Sequence, residues 1–285
     1  MNKKLGIVLF GLFLLTVGCS KEEELVLGFV PSAEAEKIAT TVKPLTEILS
    51  RKLGIKVKSY LATDYTAIIE AIGSGKVDMA FLPPFAYVVA HDKYGAEVLV
   101  KAKRYGKEYY RGQFTVRKDS GIDSLKQLKG KIWAYPDASS SSGYLFPKYK
   151  MIKMGIDPDT FFAEKIQTGS HDNAILAVYN GEADLATTFE GAENRLVKDY
   201  PDIKEQIKII GYTDNIPNDG LVVRKDLDPQ MKEKIKQVFL SLNQDSTAME
   251  ILKKVYAWDG IVPASDSDYQ IVREVAKTLK ITIPK

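Results

Sequence analysis

The chain has 285 residues, 40 Lys and Arg against 37 Asp and Glu, and a formal charge of +3. Hydrophobic residues are 45% and charged residues 27%, which suits one large domain or two modest lobes and excludes a disordered chain, a collagen or a multi-span membrane protein. Acidic and basic residues are mixed along the chain, without the concentrated basic face that nucleic-acid binding needs.

Lys3 and Lys4 precede an apolar run, Leu5 to Val17, that is short for a membrane span and ends in small residues. It reads as a secretory signal peptide over residues 1–18. Leu15-Thr16-Val17-Gly18-Cys19 resembles a bacterial lipobox, with Thr16 where leucine is usual. The resemblance implies a diacylglyceryl group on the Cys19 thiol and a lipid anchor. Each buried CH2 of such a chain contributes about 0.8 kcal/mol of membrane affinity. Cys19 is the only cysteine, so acylation leaves no thiol for a disulfide or a metal. Residues 19–24 read as a polar tether.

The mature part alternates strand-like runs with helical periodicity, an α/β pattern. Leu25–Val30 is the expected first strand. Ile38, Val42, Leu45, Leu49 and Leu53 then fall at helical spacing up to Gly54, with Pro44 expected to kink or restart the helix. Ile55–Tyr60 reads as the second strand. Asp64–Ile72 followed by Gly75–Ala80 resembles Asp172–Val178 followed by Gly181–Ala186. Both read as a capped helix, a glycine stop and a strand opening on Asp. Their offset is 106 residues, which sets Tyr65 opposite His171. Phe114–Asp119 and Leu221–Asp226 echo at nearly the same offset, placing these strands at or beside crossings between two similar lobes. A cleft lined by helix N-termini would lie between them. The expected lobes are 25–112 with 215–285, and 113–214. Helices Met231–Leu242, Ala248–Tyr256 and Ser267–Leu279 would pack back on the first lobe.

Asp137-Ala138-Ser139-Ser140-Ser141-Ser142-Gly143-Tyr144 follows a strand-like Lys131–Tyr135 and opens a helical segment that runs to Met154 and stops at Gly155. Hydroxyls beside unpaired backbone N–H groups at a helix start can bind a tetrahedral oxyanion without Lys or Arg, or can simply cap the helix. His171 could donate a ring N–H to the same anion or serve structure alone. His91, in the helical run Phe85–Tyr94, reads as structural or exposed. Glu190 and Asp219 stand near strand ends, where a carboxylate could accept from a ligand ammonium or a protonated ligand oxygen, or could cap a turn. No Gly-x-Ser-x-Gly element, phosphate loop or metal cluster is present, which argues for binding rather than catalysis and for no cofactor.

Tyr60–Tyr65, Gly75–Tyr87, Ser140–Tyr144 and Gly169–Asn173, in this order after the lipobox, resemble the substrate-binding lipoproteins of ABC transporters for phosphonate, phosphite and related phosphorus oxyanions. The resemblance implies a bilobal periplasmic-binding-protein fold of type II-like form that closes on its ligand. It implies anion contacts from Ser140, Ser141 and Ser142 (where the family more often has Ser-Thr-Ser), His171, Tyr65 and Tyr110. Glu190 and Asp219 match, by approximate spacing, the two carboxylates that hold the amine of aminoalkyl phosphonates in the family. Pro84-Phe85-Ala86-Tyr87 replaces the commoner Gly-Pro start. The implied protein is a monomer anchored at the cell envelope, facing the periplasm or exterior, with an ABC permease and ATPase as partners. A sulfonate or other oxyanion ligand, or a sensory role, are the competing readings. The expected grip is one of dipoles rather than full charges.

Overall fold

The computed structural model describes residues 24–31 and 35–281. The expected signal peptide, Cys19 and the tether up to residue 23 lie outside the described residues. Glu24 does not belong to the tether: it opens β1 (Glu24–Phe29), where its carboxylate meets Lys58 at 2.7 Å. Next, α1 (Ala35–Leu53) runs as one helix through Pro44 rather than restarting there. Proline removes one backbone donor, and the burial of Val42, Leu45, Leu49 and Leu53 in the core holds the helix across the gap.

The first lobe continues with β2 (Lys56–Leu61), α2 (Tyr65–Gly73), β3 (Met79–Leu82), α3 (Pro84–Tyr94) and β4 (Glu97–Lys103). The chain then passes through β5 (Tyr109–Tyr110) into β6 (Gly112–Arg117), β7 (Ile132–Tyr135), α4 (Phe146–Lys153), α5 (Pro158–Phe161), β8 (Glu164–Gln167), α6 (His171–Tyr179), β9 (Leu185–Phe189), α7 (Ile203–Gln206) and β10 (Ile207–Tyr212). It returns through β11 (Ile216–Pro217) to β12 (Gly220–Val223) and ends with α8 (Pro229–Ser241), α9 (Ser246–Tyr256), β13 (Gly260–Pro263) and α10 (Gln270–Thr278).

Two mixed sheets result, ordered β13-β4-β12-β3-β1-β2 and β10-β6-β9-β7-β8. Apart from β13, the second order repeats the first strand for strand. In each, two parallel neighbours flank a central strand (β1 or β7), and the next strand out (β12 or β6) runs antiparallel. The register shift where Leu221 and Val222 of β12 pair with Val100 and Val98 of β4 has its counterpart between Ile209 and Gly211 where β10 pairs with β6. The strand pattern thus turns the sequence echo into architecture. Asp78 accepts from the Val26 N–H at 2.7 Å and Asp184 from the Ile132 N–H at 2.9 Å, the same pin in each lobe. Both pins hold a central strand to the turn after the echoed helix.

The cores differ. Phe29, Phe81, Phe239, Tyr256 and Trp258 share one large cluster in the first lobe, with Phe81 and Trp258 edge to face at 5.0 Å. The second sheet carries two smaller clusters: Ala134 and Ala186 belong to one, Trp133 and Leu185 to the other, as alternation along strands requires. Between the lobes, β5 and β11 pair antiparallel, Tyr110 opposite Ile216. Fully buried Asn218 fixes this ribbon, donating to the Ala102 carbonyl at 3.0 Å and the Lys107 carbonyl at 2.8 Å.

Candidate functional site

Two echoed helices start at the cleft. Asp64 caps α2 through the Ala67 N–H at 2.7 Å, and Ser170 caps α6 through the Asn173 N–H at 3.1 Å. The first helical residues are Tyr65 and His171. The serine segment is a wide π-type turn, Ser141–Leu145, running into α4, with Ser140 capping the Gly143 N–H at 3.1 Å. Glycine is required at 143, because a Cβ there would meet Pro136 Cγ at 2.3 Å. Thr187 ties the turn to the sheet: its hydroxyl donates to the Gly143 carbonyl and accepts from the Trp133 indole at 2.7 Å.

A cavity of about 30 Å³ lies where these parts meet. Tyr65, Arg104, Tyr110 and Asp219 line it from the first lobe and hinge, and Ser140, Ser142, His171 and Arg195 from the second. Val30, Phe81, Phe189 and Tyr256 supply apolar wall. Six of the eight expected ligand-binding residues therefore share one space. Ser141 is buried outside that wall and bridges the lobes instead, its hydroxyl accepting from the Phe85 N–H at the start of α3 at 2.8 Å. Glu190 is half-exposed and held by two bonds to Arg111, at 3.0 and 2.6 Å. It lines a neighbouring cavity of about 160 Å³ that shares Arg104, Tyr110 and Phe189 with the first. Tyr110 sits in β5, two residues before β6 begins.

The expected grip by dipoles alone is corrected by two guanidinium groups. Arg104 is buried, pairs with Asp219 at 2.5 Å, donates to the Tyr256 carbonyl at 3.0 Å and lies 4.6 Å over the Tyr110 ring. Arg195 pairs with Asp172 at 2.6 Å and lies 4.8 Å over the Phe189 ring. Each Arg belongs to a salt bridge, so two guanidinium groups line the cavity without either being an isolated buried charge.

Burial sets the protonation states. It pushes the Tyr65 and Tyr110 phenols upward, with Asp137 and Asp219 adding to the effect at Tyr65 and Asp219 at Tyr110, so both stay O–H donors. Burial, then Arg195 and Arg104, drives His171 well below the usual histidine range, leaving a neutral ring with one N–H donor. Among the described residues, its Nδ1 is buried without a hydrogen-bond partner, as is Oδ1 of Asp219. Burial also raises the Asp219 carboxyl, against the pull of Arg104. Burial raises the Asp137 carboxyl too, against the pull of the Ser139 N–H, which it accepts from at 2.7 Å. The sequence reading missed Arg104 and Arg195. Arg104 had one signal, its place at the carboxyl end of a strand beside the crossing.

The sequence profile described as "ABC transporter, phosphonate, periplasmic substrate-binding protein" matches residues 27–269. The chain belongs to this phosphonate-binding family. It is a binding component of an ABC transporter and not an enzyme. It is 29% identical over 277 residues to the phosphate-import protein PhnD of Mycolicibacterium smegmatis, covering 89% of this chain and 85% of that one. It is 27% identical to the phosphonates-binding periplasmic protein of Escherichia coli, covering 90% and 77%. A binding protein component of a Pseudomonas aeruginosa phosphonate transporter superposes with a TM-score of 0.84 at 26% identity, covering 91% and 87%. A Prochlorococcus marinus protein solved in complex with methylphosphonate shares the fold, with a TM-score of 0.82 at 20% identity and coverage of 91% and 99%.

Proposed function

We propose that this phosphonate-family protein is lipid-anchored through Cys19, captures a phosphonate or related phosphorus oxyanion between its lobes, and delivers it as a monomer to an ABC permease and its ATPase. The lobes are those of residues 25–112 with 215–285 and of 113–214. The observation that carries the reading is the shared cavity: hydroxyls of Tyr65, Tyr110, Ser140 and Ser142, the neutral His171 ring and two guanidinium groups surround a space of about 30 Å³ that has, among the described residues, one carboxylate on its wall. Such donors match the oxygens of a small tetrahedral anion. Ser141 takes part by holding the lobes together over the ligand, and the ligand in turn favours that arrangement, because its donors come from both lobes.

The test is a thermal-shift series on the mature protein in detergent, with phosphate, phosphite, methylphosphonate, sulfate and taurine. A phosphorus ligand at a thousand times its Kd adds about 4 kcal/mol of stability, a shift easily seen. Stabilisation by taurine or sulfate alone would replace the reading with a sulfonate or sulfate receptor, and no stabilisation by any of them would overturn it. Cys19→Ala should move the protein from the membrane fraction to the soluble one.

A further inference from the structure

An ammonium-reading site needs a carboxylate free to meet the ammonium, but both expected carboxylates are paired with arginine, and of the two Glu190 alone lines the space beside the anion cavity. Asp219 Oδ2 is taken by Arg104 at 2.5 Å. Both oxygens of Glu190 are taken by the Arg111 fork, the geometry in which guanidinium and carboxylate match best. A ligand substituent growing out of the anion cavity enters the neighbouring one, where Arg104, Lys107 and Arg111 face the single carboxylate of Glu190. An ammonium there meets like charge.

One acceptor is left over. Among the described residues, Asp219 Oδ1 is buried without a hydrogen-bond partner, on a residue that lines the anion cavity. A buried acceptor of this kind costs free energy until a donor arrives. An anion held by two guanidinium groups can bring one donor of its own, the proton of a P–OH group. Sulfate has the same shape but carries no proton near neutral pH, so it would set an oxygen lone pair against the Asp219 carboxylate.

We infer that the Arg104–Asp219 and Arg111–Glu190 pairs make this chain a receptor for phosphorus oxyanions that carry a P–OH proton and no amine, excluding aminoalkyl phosphonates and sulfate. This rests on the proposed function above and narrows its ligand.

Calorimetric titration of the mature protein at neutral pH decides it. Methylphosphonate should bind at least tenfold more tightly than 2-aminoethylphosphonate, and phosphate at least tenfold more tightly than sulfate. Equal or tighter binding of the amine overturns the inference and leaves the proposed function standing. Failure of every phosphorus ligand to bind instead removes the proposed function. Arg111→Gln, on the half-exposed rim, should release Glu190 and raise 2-aminoethylphosphonate relative to methylphosphonate by about tenfold, the effect of one charge-assisted hydrogen bond. An unchanged ratio counts against the pairing as the filter. Asp219→Asn should close the gap between phosphate and sulfate. If that variant does not fold, the wild-type ratio and Arg111→Gln still decide.

Discussion

The two lobes repeat one scaffold and fill it differently. Gly28 on β1 and Ile68 on α2 stand 106 residues before Ala134 on β7 and Ala174 on α6, all at equivalent places. In the first lobe a Cβ on Gly28 would lie 2.4 Å from Ile68 Cδ1, so one partner gave up its side chain to the other. In the second lobe two alanines share the volume, both fully buried in one cluster. The aspartate pins on the central strands are common to both. Repetition thus constrains backbone and total volume, while individual side chains, including those at the cleft, are free to diverge: Tyr65 in one lobe, His171 in the other.

The largest break in this comparison should come from the first lobe's ion pair. Arg104→Met leaves Asp219 buried without its counter-charge, and removing one partner of a buried pair costs about 3–5 kcal/mol. Urea unfolding measures it, and a loss below 1 kcal/mol would mean that water reaches the site. The pins come next. Asp78 also holds Arg224 at 2.9 Å, whereas the second lobe's Asp184 has the half-exposed Lys131 at 3.4 Å. Asp78→Ala should cost about 2–3 kcal/mol and Asp184→Ala about 1–2 kcal/mol, on the scale of bonds to charged groups; the reverse order would refute the ranking.

A finer test exchanges the packing solutions. Gly28→Ala should destabilise by about 1–3 kcal/mol through overpacking, and Ile68→Ala added to it should recover part of that loss, because the pair becomes the Ala–Ala of the second lobe. Additive losses in the double-mutant cycle would show that the two sites are independent.

The smallest effect concerns His171, which has no titrating counterpart near neutral pH at Tyr65. Its ring is held neutral by burial, then by Arg195 and Arg104, so the unfolded chain binds a proton near pH 6.5 that the folded lobe refuses. The stabilisation is complete above that pH and is lost as pH falls through it, by up to about 1.4 kcal/mol per pH unit. His171→Gln should flatten the fall in stability between pH 7.5 and 5.5; identical slopes would assign the fall to other groups.

How much of this could be read from the sequence follows from the same repetition. Tyr65 and His171 announced themselves because the echo brought them into alignment, and the glycine stops and Asp-opened strands predicted the twin sheets. The serine run was visible by composition, but its division of labour was not: only the folded turn separates Ser140 and Ser142 on the cavity wall from Ser141 at the lobe contact. The arginines left no repeat signal. The residues 106 places from Arg104 and Arg195 are Ile210 and Val89, and a charge in sequence carries no mark of its burial. Pairing was equally hidden, since Arg104 meets Asp219 across 115 residues. The expectation that Pro44 restarts α1 failed because tertiary burial outweighed one lost backbone bond.

Arg195 has a consequence of its own. Its guanidinium meets Asp172, the neighbour of His171 in its own lobe, at 2.6 Å and the Val255 carbonyl of the opposite lobe at 3.4 Å, while forming part of the cavity wall. A guanidinium is flat and rigid, with its donors fixed in direction, so these contacts cannot be adjusted independently. On the proposed function this side chain would work as a coincidence detector: a ligand that displaced it would disturb the lobe contact, and a ligand that fitted beside it would preserve the contact. A transporter touching only the outer surface of the protein could then read occupancy from the alignment of the lobes, without reaching the ligand itself.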